Sequence, residues 1–192
     1  MIRSASIVDT PPAATSQAYA RVAALGMGAL EDLFVRGETP DLAALPGWEW
    51  RGLNLGPIAP FTPFQKFIKG FYRDAGGAVW GYNLPVVQDG PARAWRARPS
   101  DEAPKRFGFF LVDRVDAASR DNAYLHALLL DYGRGRNPLL DVTRGLRDYV
   151  VRVEPGSDDL LLGKAYYALG PARVPAGYFL LERRRPTTWV RP

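Results

Sequence analysis

The stretch "PGWEWRGLN" (46–54) alternates two tryptophans with a glutamate and an arginine between two glycines. In an extended strand, successive side chains point to opposite faces, so Trp48 and Trp50 share one face and Glu49 and Arg51 the other. Burying two indoles gains much apolar contact, but each ring N–H then needs an acceptor. Core packing is the default role for this pair, with ligand contact secondary. An arginine stacked on Trp50 adds about 0.5–2 kcal/mol.

The stretch also marks a change in the chain. Upstream, apolar residues at Tyr19, Val22, Ala23, Leu25, Leu30, Leu33 and Phe34 follow helical spacing, and Gly37 and Pro40 supply a stop, which predicts a helix over 14–37. Residues 1–12 read as a flexible leader. Downstream, short runs of aromatic and β-branched residues lie between Gly, Pro and Asp clusters. They predict strands near 48–55, 78–87, 92–98, 105–114, 124–132, 146–154, 159–169 and 176–185. Turn signals such as "EPGSDD" (154–159) and "GPARVP" (170–175) join successive strands. Phe64, Phe67, Ile68 and Phe71 fall on one helical face of 59–77, predicting an inserted amphipathic helix between the first two strands. The expected fold is one mainly β domain over 1–192: an antiparallel barrel of about eight strands, with an N-terminal helix and a short inserted one. Eight strands leave room for one small ligand.

The run "LEDLFVRGETPDLAALPGWEWRGLN" (30–54) resembles the start of the GxWxG-domain proteins and, more widely, of lipocalin-like (calycin) barrels. There a Gly and Trp on the first strand sit at the closed end, and a basic residue near the last strand packs over the tryptophan. The resemblance implies that Trp50 and Gly52 form the Trp-x-Gly half of the motif and that Arg183 or Arg184 is the basic partner. Gly47 stands three residues before Trp50, where the motif has two.

Other segments supply candidate site residues. Lys69 and Tyr72 are the polar groups of the inserted segment, whose default role is to cap the core and whose alternatives are to lie across the barrel mouth or touch a membrane surface. In "GYNLP" (81–85), Tyr82 and Asn83 point to opposite faces of a regular strand, and Pro85 suggests an edge or bulge. Pairing 105–114 with 124–132 by their apolar faces places Asp113 near His126 and Phe109 near Leu130, an acid–base dyad if the protein is an enzyme. The expected lining consists of Trp50, Tyr82, Tyr124, His126 and Tyr166, with Arg183 or Arg184 near the closed end. Arg134 and Arg136 in "DYGRGRN" (131–137) are available to an anion in a loop without a Walker lysine.

Composition limits the function classes. The 192 residues include no cysteine, which removes disulfides, thiolate metal sites and a cysteine nucleophile. A net charge of +5 suits anionic partners, yet the basic residues are mostly scattered, and nucleic acid is not the expected partner. No run is long and apolar enough for a membrane span, although peripheral membrane contact stays open. The leader lacks the apolar core of a secretory signal, so the expected location is the cytoplasm. The functional expectation is a cofactor-independent barrel binding a small hydrophobic molecule in its interior. Its rivals are a cofactor-free isomerase or cyclase acting on a lipid- or polyketide-like substrate in that cavity, and a protein-interaction module with a filled barrel.

Overall fold

The computed structural model describes residues 14–56 and 64–192. Eight strands form a closed antiparallel barrel in sequence order: β1 (Trp48–Leu55), β2 (Lys66–Arg73), β3 (Val79–Pro85), β4 (Phe107–Arg114), β5 (Leu128–Asp131), β6 (Leu146–Glu154), β7 (Ser157–Leu169) and β8 (Ala172–Pro186). Each pairs with the next, and β1 pairs with β8, so closure leaves no free sheet edge. Two helices, α1 (Gln17–Ala23) and α2 (Met27–Arg36), precede the barrel. The single helix expected over 14–37 is divided because Gly26 adopts an extended conformation and becomes the N-cap of α2. The expected leader over 1–12 lies outside the described residues.

Two other expected elements are corrected. Residues 66–73 form β2 rather than part of an inserted helix, and 59–63 of that prediction fall outside the described residues. The run "KFIKGFY" is buried on both faces of its strand, and a continuous apolar run carries no period to distinguish strand from helix. Conversely, 92–98 is not a barrel strand. It makes an isolated bridge between Ala97 and Val86 and lays Trp95 on the barrel's outer surface, where Trp95 Nε1 donates to the Gly52 carbonyl at 2.9 Å.

The registers place Trp50, Lys69, Asn83, Phe110, Leu130, Asp148 and Phe179 on the inner face. At the end where β1 begins, Trp50, Phe71, Phe110, Leu45 and Leu161 pack into a fully buried cluster. The Arg183 guanidinium lies 4.8 Å from the Trp48 ring and 5.2 Å from the Trp50 ring. It also pairs with Asp159 at 2.9 Å. Of the two arginines considered as partner to Trp50, Arg183 is therefore the one that stacks on it. Trp50 Nε1 finds no hydrogen-bond acceptor among the described residues, contrary to the expectation for a buried indole.

Glycine makes the dense interior possible. A Cβ at Gly163 would overlap the Phe179 ring, and one at Gly52 would overlap the Phe67 ring. Gly163→Ala should lower stability by about 1–3 kcal/mol, because a ring held on a neighbouring strand cannot swing aside. Chemical denaturation of the variant measures this loss.

The outer face is buried as well, which explains the near-continuous apolar runs. Helix α1, the 86–106 connection and Trp189 cover β1, β2, β3 and β8, while α2 covers the outer residues around Tyr149 and Tyr178. Glu49 and Arg51 face away from the indoles into this second layer. Arg185 pairs with Glu49 at 2.8 Å, and Tyr82 Oη donates to the Glu49 carboxylate at 3.1 Å. Arg51 pairs with Glu182 at 2.7 Å and donates to the Ala14 carbonyl, while Ser16 N donates to Glu182. These bonds fasten the start of α1 to the barrel.

Candidate functional site

Lys69 stands on the inner face of β2 with 3% of its surface exposed. Opposite it on β3 is Asn83, whose Oδ1 accepts from Lys69 Nζ at 3.0 Å. Asp148 on β6 lies 3.1 Å from the same nitrogen, and Tyr132, at the end of β5, also accepts from it. The Tyr132 hydroxyl donates to Asp148 at 3.1 Å, and Asn83 Nδ2 donates to the Gly108 carbonyl at 2.8 Å. The three ammonium hydrogens thus have three acceptors, carried by segments that meet only because the barrel closes.

The expected bulge in β3 is present: its pairing with β4 shifts between Gly81 and Asn83. That shift seats Asn83 beside Gly108, whose φ of 51° is in the left-handed region favoured by glycine.

The surroundings are aromatic. Phe67, Phe110, Tyr132 and Phe179 have ring centroids 5.3, 4.9, 5.1 and 5.2 Å from Lys69 Nζ. Burial pushes the Lys69 pKa below its ordinary value, opposed by the charge and hydrogen bond of Asp148. Burial, followed by the Asp148 charge, raises the Tyr132 pKa well above the ordinary phenol value. Phe67 is only half-buried and lies between Lys69 and the end where β1 leaves the barrel. The polar cluster therefore sits near one end of the lumen, with packed side chains filling the other.

No family model, curated protein or solved structure matches this chain. Its functional reading accordingly rests on its own residues.

Lys69 and Asn83 come together as candidate binding residues. Trp50 is the cross-strand partner of Lys69 and, with Arg183 stacked on it, packs on the side of the cluster toward the start of β1. Tyr72 and Tyr82 are on the outer face, both against Trp189. Tyr124 and Tyr166 also lie outside the lumen, with their hydroxyls 2.7 Å apart, beside Lys164 and its partner Glu31.

The expected Asp113–His126 dyad does not form. Asp113 pairs with Leu129, and Val112, not Phe109, pairs with Leu130. Asp113 points outward and borders a surface groove of about 710 Å³ with Trp80, Arg73, Arg134 and Arg136. The His126 Nε2 instead lies 3.2 Å from the Phe34 carbonyl of α2. Because both faces of β4 are covered, hydrophobicity could not identify its inner face. No group of three or more potential metal ligands converges among the described residues.

Asp148 and Tyr132 were not among the expected site residues. Asp148 had a legible signal: it is a carboxylate set between the apolar Leu146 and Val150 at alternate positions of the expected strand. Tyr132 ended an apolar alternation through Leu128 and Leu130, but nothing local distinguished it from a core aromatic.

Proposed function

We propose that the protein binds a small, mostly apolar molecule carrying one hydrogen-bond acceptor at the Lys69 end of its barrel. The observation supporting this reading is an ammonium group buried among four aromatic rings, close to a half-buried phenylalanine at the end of the lumen. Removing a lysine and a carboxylate from water is costly, and stability alone does not require the pair, since apolar residues of similar volume often serve as well or better. Buried ionisable groups with displaced pKa values are frequent at functional sites. The ligand takes the place of the Phe67 ring, and its acceptor replaces Asn83 Oδ1 on Lys69. Its apolar body rests on Phe179 and Phe110. This geometry limits the ligand to one end, because the Trp50 end is packed. The stack of Arg183 on Trp50 is in keeping with the resemblance to calycin barrels, where apolar ligands are held in the same general architecture.

The packed interior supports a second reading, in which the filled barrel is a scaffold and its surface makes the functional contacts. Native mass spectrometry of the chain purified from its source separates the two. The expected spectrum contains a complex heavier than the chain by one small molecule, and the Lys69→Met/Asp148→Leu protein shows less of it. Repeated recovery of the bare chain, with the barrel folded, would support the scaffold reading and overturn the ligand.

A further inference from the structure

The surface groove beside β3 gathers groups that the barrel interior does not use. Trp80, Leu42 and Leu111 supply its apolar lining, and its volume of about 710 Å³ is in the range of small-molecule sites. Arg73, at the end of β2, and Arg134 and Arg136, in the connection after β5, line it together with the acids Asp74 and Asp113.

The acids and the arginines are not equally engaged. One Asp74 oxygen accepts from Trp80 Nε1 at 2.7 Å and the other from Ala78 N at 2.9 Å, and Asp113 accepts from Arg114 N at 2.8 Å. Arg73 donates to the Gly77 carbonyl at 2.7 Å. Arg134 and Arg136, by contrast, hydrogen-bond only through their backbones among the described residues: Arg134 N donates to Asp131, and the Arg136 carbonyl accepts from Arg191. The Arg136 guanidinium lies 5.0 Å from the Trp80 ring, which leaves its N–H groups free to donate.

Arg136 also takes a conformation that arginine rarely adopts. Its φ of 56° lies in the left-handed region that glycine enters freely. The turn is fastened from both sides. Arg191 donates to the Gly135 carbonyl at 3.0 Å and to the Arg136 carbonyl at 3.4 Å, while Asn137 Nδ2 donates to the Phe109 carbonyl at 2.7 Å and its Oδ1 accepts from Phe109 N at 2.8 Å. Strained backbone persists where its surroundings over-determine it, and such residues cluster at ligand sites.

We propose that this groove binds a small phosphate monoester, with the Arg134 and Arg136 guanidinium groups donating to its phosphoryl oxygens and its organic part lying against Leu42 and Leu111. Planar guanidinium forks match phosphoryl oxygens in pairs. A monoester carries nearly two negative charges at neutral pH, so it gains more from three guanidinium groups, against two carboxylates that are already bonded, than a monocarboxylate does. The site lies outside the barrel and stands apart from ligand binding at Lys69.

NMR titration of the nitrogen-labelled full chain with phenyl phosphate, at constant ionic strength, tests the site. The Trp80 indole signal, assigned from Trp80→Phe, and the Nε signals of Arg134 and Arg136 should shift and saturate. Benzoate should bind more weakly. Arg136→Gly and Arg134→Gln should each weaken phenyl phosphate binding by about tenfold or more. Arg136→Gly should do so with an unfolding midpoint no lower than that of the wild type, because glycine accepts the turn without strain. Unaltered binding by either variant overturns the proposal, as do shifts that rise linearly and match those produced by chloride. Equal affinity for benzoate would overturn the choice of a phosphate, and shifts centred on the Lys69 signal would overturn the location.

Discussion

Lys69→Met should destabilise the folded chain by about 3–5 kcal/mol, because it leaves the Asp148 carboxylate buried without its cation. The carboxylate is almost fully enclosed, with 5% of its side chain exposed, and Tyr132 remains its only other hydrogen-bond donor among the contacts around it. The double variant Lys69→Met/Asp148→Leu should regain most of the loss, since both charges are removed and the rings lining the site accept apolar substitutes. Urea denaturation of the single and double variants measures the difference. Equal destabilisation of both would show that the loss comes from packing rather than from an orphaned charge.

The pair also has a signed pH dependence. Burial lowers the Lys69 pKa from its ordinary 10.5. Between the lowered native value and that of the unfolded chain, the unfolded state holds a proton that the native state has released. Unfolding free energy therefore rises with pH through this window and is lost as pH falls through the native pKa. Relative to the double variant, the wild type should gain stability as alkalinity increases. Burial raises the Tyr132 pKa in both proteins and the Asp148 charge only in the wild type, so the comparison is made below the ordinary phenol pKa of 10.0, where Tyr132 keeps its proton folded and unfolded.

Trp50→Ala should cost about 3–5 kcal/mol by opening a cavity at the packed end. Its indole is fully buried against Phe71, with ring centroids 6.1 Å apart, and against the Arg183 guanidinium. Trp50→Phe should cost far less, because the lost ring N–H donates to no acceptor among the described residues. Indole added to Trp50→Ala should raise its melting temperature by filling the dry cavity. A large loss in Trp50→Phe would instead identify an essential indole hydrogen bond. Trp50 is the cross-strand partner of Lys69 but is not one of the four rings around its ammonium, so Trp50→Phe should leave the mass of any retained small molecule unchanged.

The barrel was legible because Gly, Pro and Asp clusters divide aromatic and β-branched runs at hairpin intervals. Eight expected strands matched eight observed ones in number, although 92–98 stood in for 66–73. The exchange has one physical cause. A barrel wrapped in a second layer has strands buried on both faces, so β2 loses the alternation that identifies a strand. The polar, arginine-rich 92–98 segment retains that alternation because it lies over the barrel.

The same double burial concealed the inner face of β4 and invited the Asp113–His126 pairing. It also gave Tyr72 and Tyr82 the appearance of lumen residues, when they face the covering layer. Lys69 and Asn83 were legible as polar interruptions of apolar runs. Their partners were harder to recognise: Asp148 lies 79 positions from Lys69 in sequence, and only barrel closure brings the two together.

Lysine side-chain NMR tests the buried polar site most directly. The chain has four lysines, Lys66, Lys69, Lys105 and Lys164, so selective labelling of the ε-carbon and ζ-nitrogen gives four signals to follow against pH. One signal should titrate below the ordinary lysine range, show ring-current displacement from its four aromatic neighbours, and disappear in Lys69→Met/Asp148→Leu. Lys164 should titrate above that range because Glu31 and the surrounding tyrosine hydroxyls hold its proton. If the Lys69 signal instead titrates in the ordinary lysine range and exchanges freely with water, the enclosed lysine is contradicted.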